Sequence, residues 1–216
     1  MSNVFPQIKI KKSNVDDLIK VKRLKKDLKT LKKDILSYIP SDFNEDKLNR
    51  IRIRIYRFPR REACNEFFIM DGRKKYVCVN SSLINRRYYT TLLYTLHGIS
   101  HSFCHLKDGI AEEAFCEYVS YSILNEFLKN KGKKFSRKII RGAMNFSPTD
   151  YNKFYRAARK LEKRKKGIMS KINVQSKNRK ISKKKQRKIF FKLTKMKQFE
   201  DDETEIPELE RGFKKV

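Results

Sequence analysis

The sequence predicts an α+β fold: a small antiparallel sheet or hairpin, then two packed helices, flanked by an amphipathic helix and a basic helical extension. Three observations carry this prediction. Apolar side chains alternate with other residues in short segments between residues 51 and 80, which is the period of strands. They recur every three or four residues before and after that region, which is the period of helices. Basic residues dominate the segment 131–199.

Residues 1–44 are predicted to contain the amphipathic helix. We expect it to begin at Ser13 or Asn14, with Asp16 and Asp17 in its first turn, and to end before Pro40. Its apolar face is formed by Val21, Leu24, Leu28, Leu31, Ile35 and Tyr38. The stripe is shorter than three heptads, so we expect this helix to dock on the domain rather than form a free coiled coil.

Residues 45–130 are predicted to form the α+β domain. The strand candidates are 51–58, 66–71 and 75–80, the last two forming a hairpin around Asp71-Gly72. Two helices follow, from Leu83 to Leu106 and from Ile110 to Lys129. Asp108-Gly109 separates these helices, and the second must therefore fold back on the first.

Residues 131–199 are predicted to be a basic helical extension that is partly disordered. A helix should begin near 147–150, with Tyr151 and Phe154 on its apolar side. Residues 163–188 hold so few apolar side chains that we expect them to be mobile when unbound. The last segment, 200–216, is an acidic tail.

The charge distribution indicates a polyanionic partner. The chain carries a net charge of +30, of which residues 45–130 contribute +4 and residues 131–199 contribute +24. A segment this basic repels itself unless a polyanion neutralises it. We therefore expect residues 131–199 to bind nucleic acid, DNA or RNA, mostly through phosphates. An anionic membrane surface and the ribosome are alternatives, and an AT-rich genome or a hot habitat would also enrich lysine.

Composition argues against membrane and secreted proteins. No apolar run approaches the roughly 20 residues of a membrane span, and the N-terminal residues lack the apolar stretch of a signal peptide. The cysteines are Cys64, Cys78, Cys104 and Cys116, and none forms a CxxC pair. We expect a cytoplasmic protein with reduced thiols.

The three histidines of the chain suggest a metal site. His97, His101 and His105 are spaced i, i+4, i+8, so on one helix they share a face. The next helix carries Glu112, Glu113 and Glu117. Two imidazoles one turn apart and a carboxylate from a facing helix are typical of zinc sites. The alternative is a polar His–Glu seam between packed helices. Cys104 and Cys116 are further candidate ligands, although buried packing is the commoner role of such cysteines.

The segment HGISH followed by EEAFCEY resembles the core of the gluzincin metallopeptidases, over roughly residues 50–128. The family has HExxH on one helix, preceded by a hairpin, and a glutamate on the next helix in a stretch similar to EGLAEY. The resemblance implies that His97, His101 and Glu113 are zinc ligands and that the reaction is peptide hydrolysis by zinc-bound water. It also implies that peptide aligns along the last strand, near Val77–Asn80.

The sequence departs from the family at Gly98, which stands where the catalytic glutamate is expected. Glycine cannot exchange a proton with zinc-bound water, and such catalysis is typically worth about 10²–10⁴-fold. Glu112 is the nearby candidate for a substitute base. The first hypothesis is therefore a gluzincin-like zinc domain that is catalytically degenerate or weak, tethered to nucleic acid. The alternatives are a non-enzymatic nucleic-acid-binding or packaging protein on a peptidase-like scaffold, and a domain that binds a partner protein in the peptide groove.

Overall fold

The sheet of this protein includes a strand in which every second residue is an isoleucine. The computed structural model describes residues 7–10, 18–38, 45–56, 66–71, 74–80, 83–84, 87–146 and 149–194. Its strands are β1 (Gln7–Ile10), β2 (Ile51–Tyr56), β3 (Glu66–Asp71) and β4 (Lys74–Asn80), in the spatial order β1-β2-β4-β3. In β2, Ile51, Ile53 and Ile55 are buried and the intervening arginines are partly exposed, as expected for a half-buried strand.

The sheet is mixed, so the prediction of a small antiparallel sheet is wrong. β1 and β2 pair in parallel, β2 and β4 pair in parallel, and only the hairpin β3–β4 is antiparallel. The prediction assumed that strands adjacent in sequence also pair. Instead, β2 skips β3 and aligns with β4 from Ile51 opposite Lys75 to Tyr56 opposite Asn80. β1 was not predicted, and residues 57–58 of the first strand candidate lie outside the described residues.

Helices make up most of the described chain. Together with the sheet, they confirm the broad α+β class. They are α1 (Leu18–Thr30), α2 (Lys32–Tyr38), α3 (Glu45–Asn49), α4 (Tyr88–His101), α5 (Gly109–Lys129), α6 (Lys133–Phe146), α7 (Thr149–Arg164), α8 (Ile168–Lys177) and α9 (Lys183–Thr194). Among the residues described, no helix combines the length and the apolar character that crossing a membrane requires.

The predicted N-terminal helix is divided into α1 and α2 by a turn at Leu31. The apolar stripe packs as expected, since Val21, Leu24, Leu28, Leu31 and Ile35 are buried in the core. The predicted start at residues 13–17 and the stop at Pro40 lie outside the described residues.

The basic segment packs against the core, so the expectation that residues 163–188 hold too few apolar side chains to bury is wrong. Mobility of this segment when unbound stays a prediction. Met169 and Ile172 of α8 and Phe190 of α9 are buried, as is Ile181 between the two helices. One core cluster runs from Val21 to Phe190 and crosses the predicted boundaries 44/45 and 130/131. A low average hydrophobicity concealed a few apolar positions that share one side of each helix. The predicted acidic tail, 200–216, lies outside the described residues.

Candidate metal centre

Helices α4 and α5 hold the candidate metal ligands. α5 matches its predicted bounds to within one residue, and its N-cap is Asp108, whose side chain accepts a hydrogen bond from the Ala111 amide at 3.3 Å. The prediction that the first helix reaches Leu106 is wrong, because α4 ends at His101. The Ser102 hydroxyl donates to the Ile99 carbonyl at 2.6 Å, which satisfies one of the carbonyls left at the helix end.

The side chains of His97, His101 and Glu113 converge in a single cluster. The two Nε2 atoms are 3.0 Å apart. Glu113 Oε2 lies 3.2 Å from His97 Nε2, and Glu113 Oε1 lies 3.5 Å from His101 Nε2. One ligand atom from each of the three side chains lies within 4.8 Å of the other two. This proximity is compatible with a metal site.

Each imidazole has a second carboxylate behind it. His101 Nδ1 donates to Glu112 Oε1 at 2.8 Å, and His97 Nδ1 lies 3.1 Å from Glu117 Oε1. With the proton on Nδ1, the tautomer that a carboxylate behind the ring favours, an imidazole presents its Nε2 lone pair to the cluster. Carboxylates placed in this way fix the ring orientation and the tautomer of metal-binding histidines.

The centre of the cluster favours positive charge. The two Nε2 atoms, 3.0 Å apart, and the Glu113 carboxylate are stabilised by a proton or a cation among them. The pKa values reflect this. Burial alone would lower the pKa of His101, but Glu113 and Glu112 outweigh burial and raise it. Burial would raise the pKa of Glu113, but His101 and His97 outweigh burial and lower it.

The cluster is enclosed. His97 and Glu117 are each 2% exposed, and burial raises the pKa of Glu117. Within the described chain, the ion-pair partners of Glu112, Glu113 and Glu117 are the two imidazoles alone. A divalent cation would stabilise the ionised form of carboxylates that are buried beside imidazoles in this way.

Comparisons with protein-family models, with curated proteins and with solved structures find no match to this chain. The gluzincin resemblance therefore stays a prediction. What is known of the centre is its geometry, in which His97, His101 and Glu113 meet as expected for metal ligands.

His105 lies outside the cluster, so the predicted stripe of three histidines on one helix is wrong. It belongs to the loop between α4 and α5, four residues after α4 ends. Its backbone amide donates to Asn173 Oδ1 at 2.6 Å, and its carbonyl accepts from the Ser176 hydroxyl at 2.5 Å. Because α8 supplies these partners, the loop backbone does not need helical hydrogen bonds.

The thiols of Cys104 and Cys116 also lie outside the cluster of candidate ligands. Burial, followed by a hydrogen bond with Cys104, raises the pKa of Cys116. A thiol that is harder to deprotonate is a poorer metal ligand, because metals bind the thiolate. The three cysteines that the structure describes, Cys78, Cys104 and Cys116, form no disulfide with one another.

Three side chains of the basic segment form hydrogen bonds that hold the loop between α4 and α5. Asn173 Nδ2 donates to the Phe103 carbonyl at 3.2 Å. Gln186 Oε1 accepts from the amides of Lys107 and Asp108 at 2.9 and 3.3 Å. Gln186 Nε2 donates to the Ser176 hydroxyl at 2.8 Å, which closes the network. We call Asn173, Ser176 and Gln186 the polar clasp; all three are buried.

Sequence reasoning missed two contributors to the centre. Glu117 was recognised only as one of three glutamates, and its position behind His97 depends on the packing of α4 against α5. Tyr151 of α7 lies beside the cluster, with its ring centroid 6.0 Å from that of His97. Its distance of 54 positions along the chain leaves no local sequence signal for this contact.

The predicted alignment of peptide along Val77–Asn80 is wrong. β4 lies between β2 and β3, and residues 75–79 are paired on both sides. A strand with both edges paired offers no row of amides and carbonyls to an added peptide. This part of the gluzincin-like interpretation therefore fails within the described sheet.

Proposed function

We propose that this protein binds one zinc ion through His97, His101 and Glu113, with Glu112 and Glu117 orienting the two histidines. The observation that carries the proposal is that His97, His101 and Glu113 each bring one ligand atom within 4.8 Å of the others, with the two Nε2 atoms 3.0 Å apart. Nitrogen and oxygen donors in a tetrahedral arrangement favour zinc among divalent metals. A bound zinc ion would act as a Lewis acid and leave a fourth position for water.

The proposed centre is degenerate as a peptidase. Gly98 supplies no base, and the Glu112 carboxylate is engaged with His101 Nδ1, on the ring nitrogen that faces away from the cluster. Glu112 is better suited to positioning His101 than to exchanging protons with a metal-bound water. The paired edges of β4 remove the expected peptide site.

Metal analysis of the purified chain tests the proposal. We expect one zinc ion per chain in the unmodified protein and loss of zinc in a His97→Ala/His101→Ala double variant. His105→Ala is the matched control and should retain zinc, since His105 lies outside the cluster. A metal-free chain after reconstitution with zinc would contradict the proposal.

A Gly98→Glu variant tests the degenerate interpretation separately. This substitution returns the missing base but does not free an edge of β4, so we expect no gain in peptide hydrolysis. Circular dichroism and zinc content should first establish that the variant folds and is loaded. Appearance of peptidase activity would show that the base was the only missing part, which contradicts our interpretation.

The second candidate function is nucleic-acid binding by the basic helices. The observation that favours it is that the lysines of α8 and α9 are exposed while Met169, Ile172 and Phe190 of the same helices are buried. Packing therefore leaves a cationic surface that can face phosphates. Affinity for nucleic acid should fall steeply as salt rises, because bound phosphates release counterions. A flat salt response would contradict phosphate binding.

A further inference from the structure

A cleft of about 970 Å³ lies between α5, α6 and α7. This volume is near the upper end of the roughly 300–1,000 Å³ typical of ligand sites. The cleft is lined by the half of α5 beyond Glu117, by one side of α6 and by α7, and α2 contributes Tyr38. The metal cluster and the cleft thus occupy successive parts of α5.

Four arginines line this cleft. Arg137 and Arg141 come from α6, and Arg156 and Arg159 come from α7; we call them the cleft arginines. The members of each pair are one helical turn apart, so their side chains are neighbours on the helix surface. Within the residues that the structure describes, no carboxylate forms an ion pair with any of the four.

Each of the two glutamates that line the cleft already has a partner other than the cleft arginines. Glu126 forms an ion pair with Lys129 at 2.5 Å. Glu162 accepts from the backbone amides of Gly167 and Met169, the latter at 3.2 Å. The positive charge of the cleft arginines is therefore not neutralised locally. Guanidinium groups match the oxygens of phosphates, which they can bind in a bidentate manner.

Aromatic side chains form another part of the lining. Tyr38 and Tyr118 meet edge to face, with ring centroids 6.4 Å apart, and both are half-buried. Burial raises the pKa of Tyr118 to about 12, so its hydroxyl stays protonated and can donate a hydrogen bond. Arginines beside aromatic rings are the combination by which proteins hold single-stranded nucleic acid: the cations bind the backbone and the rings stack on bases.

We propose that this cleft binds a single strand of DNA or RNA, with phosphates on the cleft arginines and bases against Tyr38 and Tyr118. The inference rests on the second candidate function and adds to the lysines of α8 and α9 a specific site between α5, α6 and α7. Four guanidinium groups from two helices exceed what one phosphate needs, which favours a chain of phosphates over a lone anion. A duplex keeps its bases stacked inside and offers nothing to the tyrosines, so single strands should bind more tightly.

Fluorescence anisotropy with labelled single strands of about 12 nucleotides tests the site. The cleft variant replaces all four cleft arginines with glutamine. The matched control replaces four exposed lysines of α1, Lys22, Lys25, Lys26 and Lys29, with glutamine and so removes the same charge outside the basic segment. We expect the cleft variant to lose at least tenfold in affinity and the control to lose less than threefold.

The salt dependence gives an independent readout. Each phosphate contact with single strands contributes about −0.7 to the slope of log affinity against log salt. Loss of four contacts should reduce the slope of the cleft variant by roughly three, while the slope of the control stays near that of the unmodified chain. A third variant with four Arg→Lys changes keeps the charge, and its affinity should still fall, because lysine cannot bind phosphate in a bidentate manner.

The outcomes separate the site from the function. Equal losses in the cleft variant and the lysine control would overturn the cleft while leaving nucleic-acid binding intact. Duplexes that bind as tightly as single strands of equal length would also overturn it. If the unmodified chain binds no nucleic acid at low salt, both the cleft and the second candidate function fail.

Discussion

Helices α4 and α5, which carry the candidate ligands, differ from the basic helices α8 and α9 in how far their sequence predicts their structure. In α4, the candidate ligands His97 and His101 are one turn apart on the same helix face, so their spacing alone brings the two histidines together. In α8 and α9, composition suggested a solvated segment, yet Asn173, Ser176 and Gln186 are buried and hydrogen-bonded. A basic segment thus completes the support of a site that lies elsewhere in the chain.

Gln186→Leu should have the largest effect on stability. Gln186 is 0% exposed and accepts hydrogen bonds from two loop amides. Leucine would leave both amides unpartnered, at about 1–3 kcal/mol each. We expect the free energy of unfolding to fall by roughly 2–4 kcal/mol in urea denaturation. Lys185→Gln, one residue earlier and exposed, is the control and should change it by less than about 0.5 kcal/mol. Equal stability of the two variants would show that α9 does not support the loop.

The prediction of the fold succeeded where a pattern was local. α5 follows from its cap Asp108 and from the Asn130-Lys131-Gly132 stop, and the hairpin β3–β4 follows from alternation around Asp71. The prediction failed where contacts between distant segments determine how an element ends or pairs. Ser102 and the polar clasp end α4 early, and the parallel pairing of β2 with β4 requires a crossover that alternation does not encode.

The candidate site shows the same division. His97, His101 and Glu113 follow from spacing on two adjacent helices. Glu117 and Tyr151 do not, because their contacts with His97 depend on packing. His105 was misplaced because its helix was extended past Ser102, and no local residue signals that α8 takes up its backbone groups.

Glu117→Gln should lower the affinity of the proposed site for zinc. Removal of a carboxylate that orients a metal-binding histidine typically costs about 10–100-fold in affinity. We therefore expect zinc affinity, measured by competition with a chromogenic chelator, to fall by that factor while the fold is kept. Glu126→Gln, more than two turns further along α5 and exposed, is the control and should bind zinc normally. If both variants bind zinc as the unmodified chain does, Glu117 has no role in holding His97.

Arg187→Gln should have the smallest effect. Arg187 Nε donates to Asp108 Oδ2 at 2.7 Å, and Asp108 is buried while the arginine is about half exposed. Because solvent screens a half-exposed partner, we expect a loss of about 1 kcal/mol in the free energy of unfolding. Arg187→Lys, which keeps the charge, should recover part of that loss. A loss larger than that of Gln186→Leu would reverse our ranking of the contacts that hold the loop.

Zinc X-ray absorption on the reconstituted protein tests the proposed ligand set, because it measures the ligand atoms themselves. We predict a first shell of nitrogen and oxygen at about 2.0–2.1 Å, including two imidazoles. The imidazole signal should disappear in the His97→Ala/His101→Ala variant. A shell with sulfur at about 2.3 Å would contradict the account, because it would assign the metal to cysteines rather than to His97, His101 and Glu113.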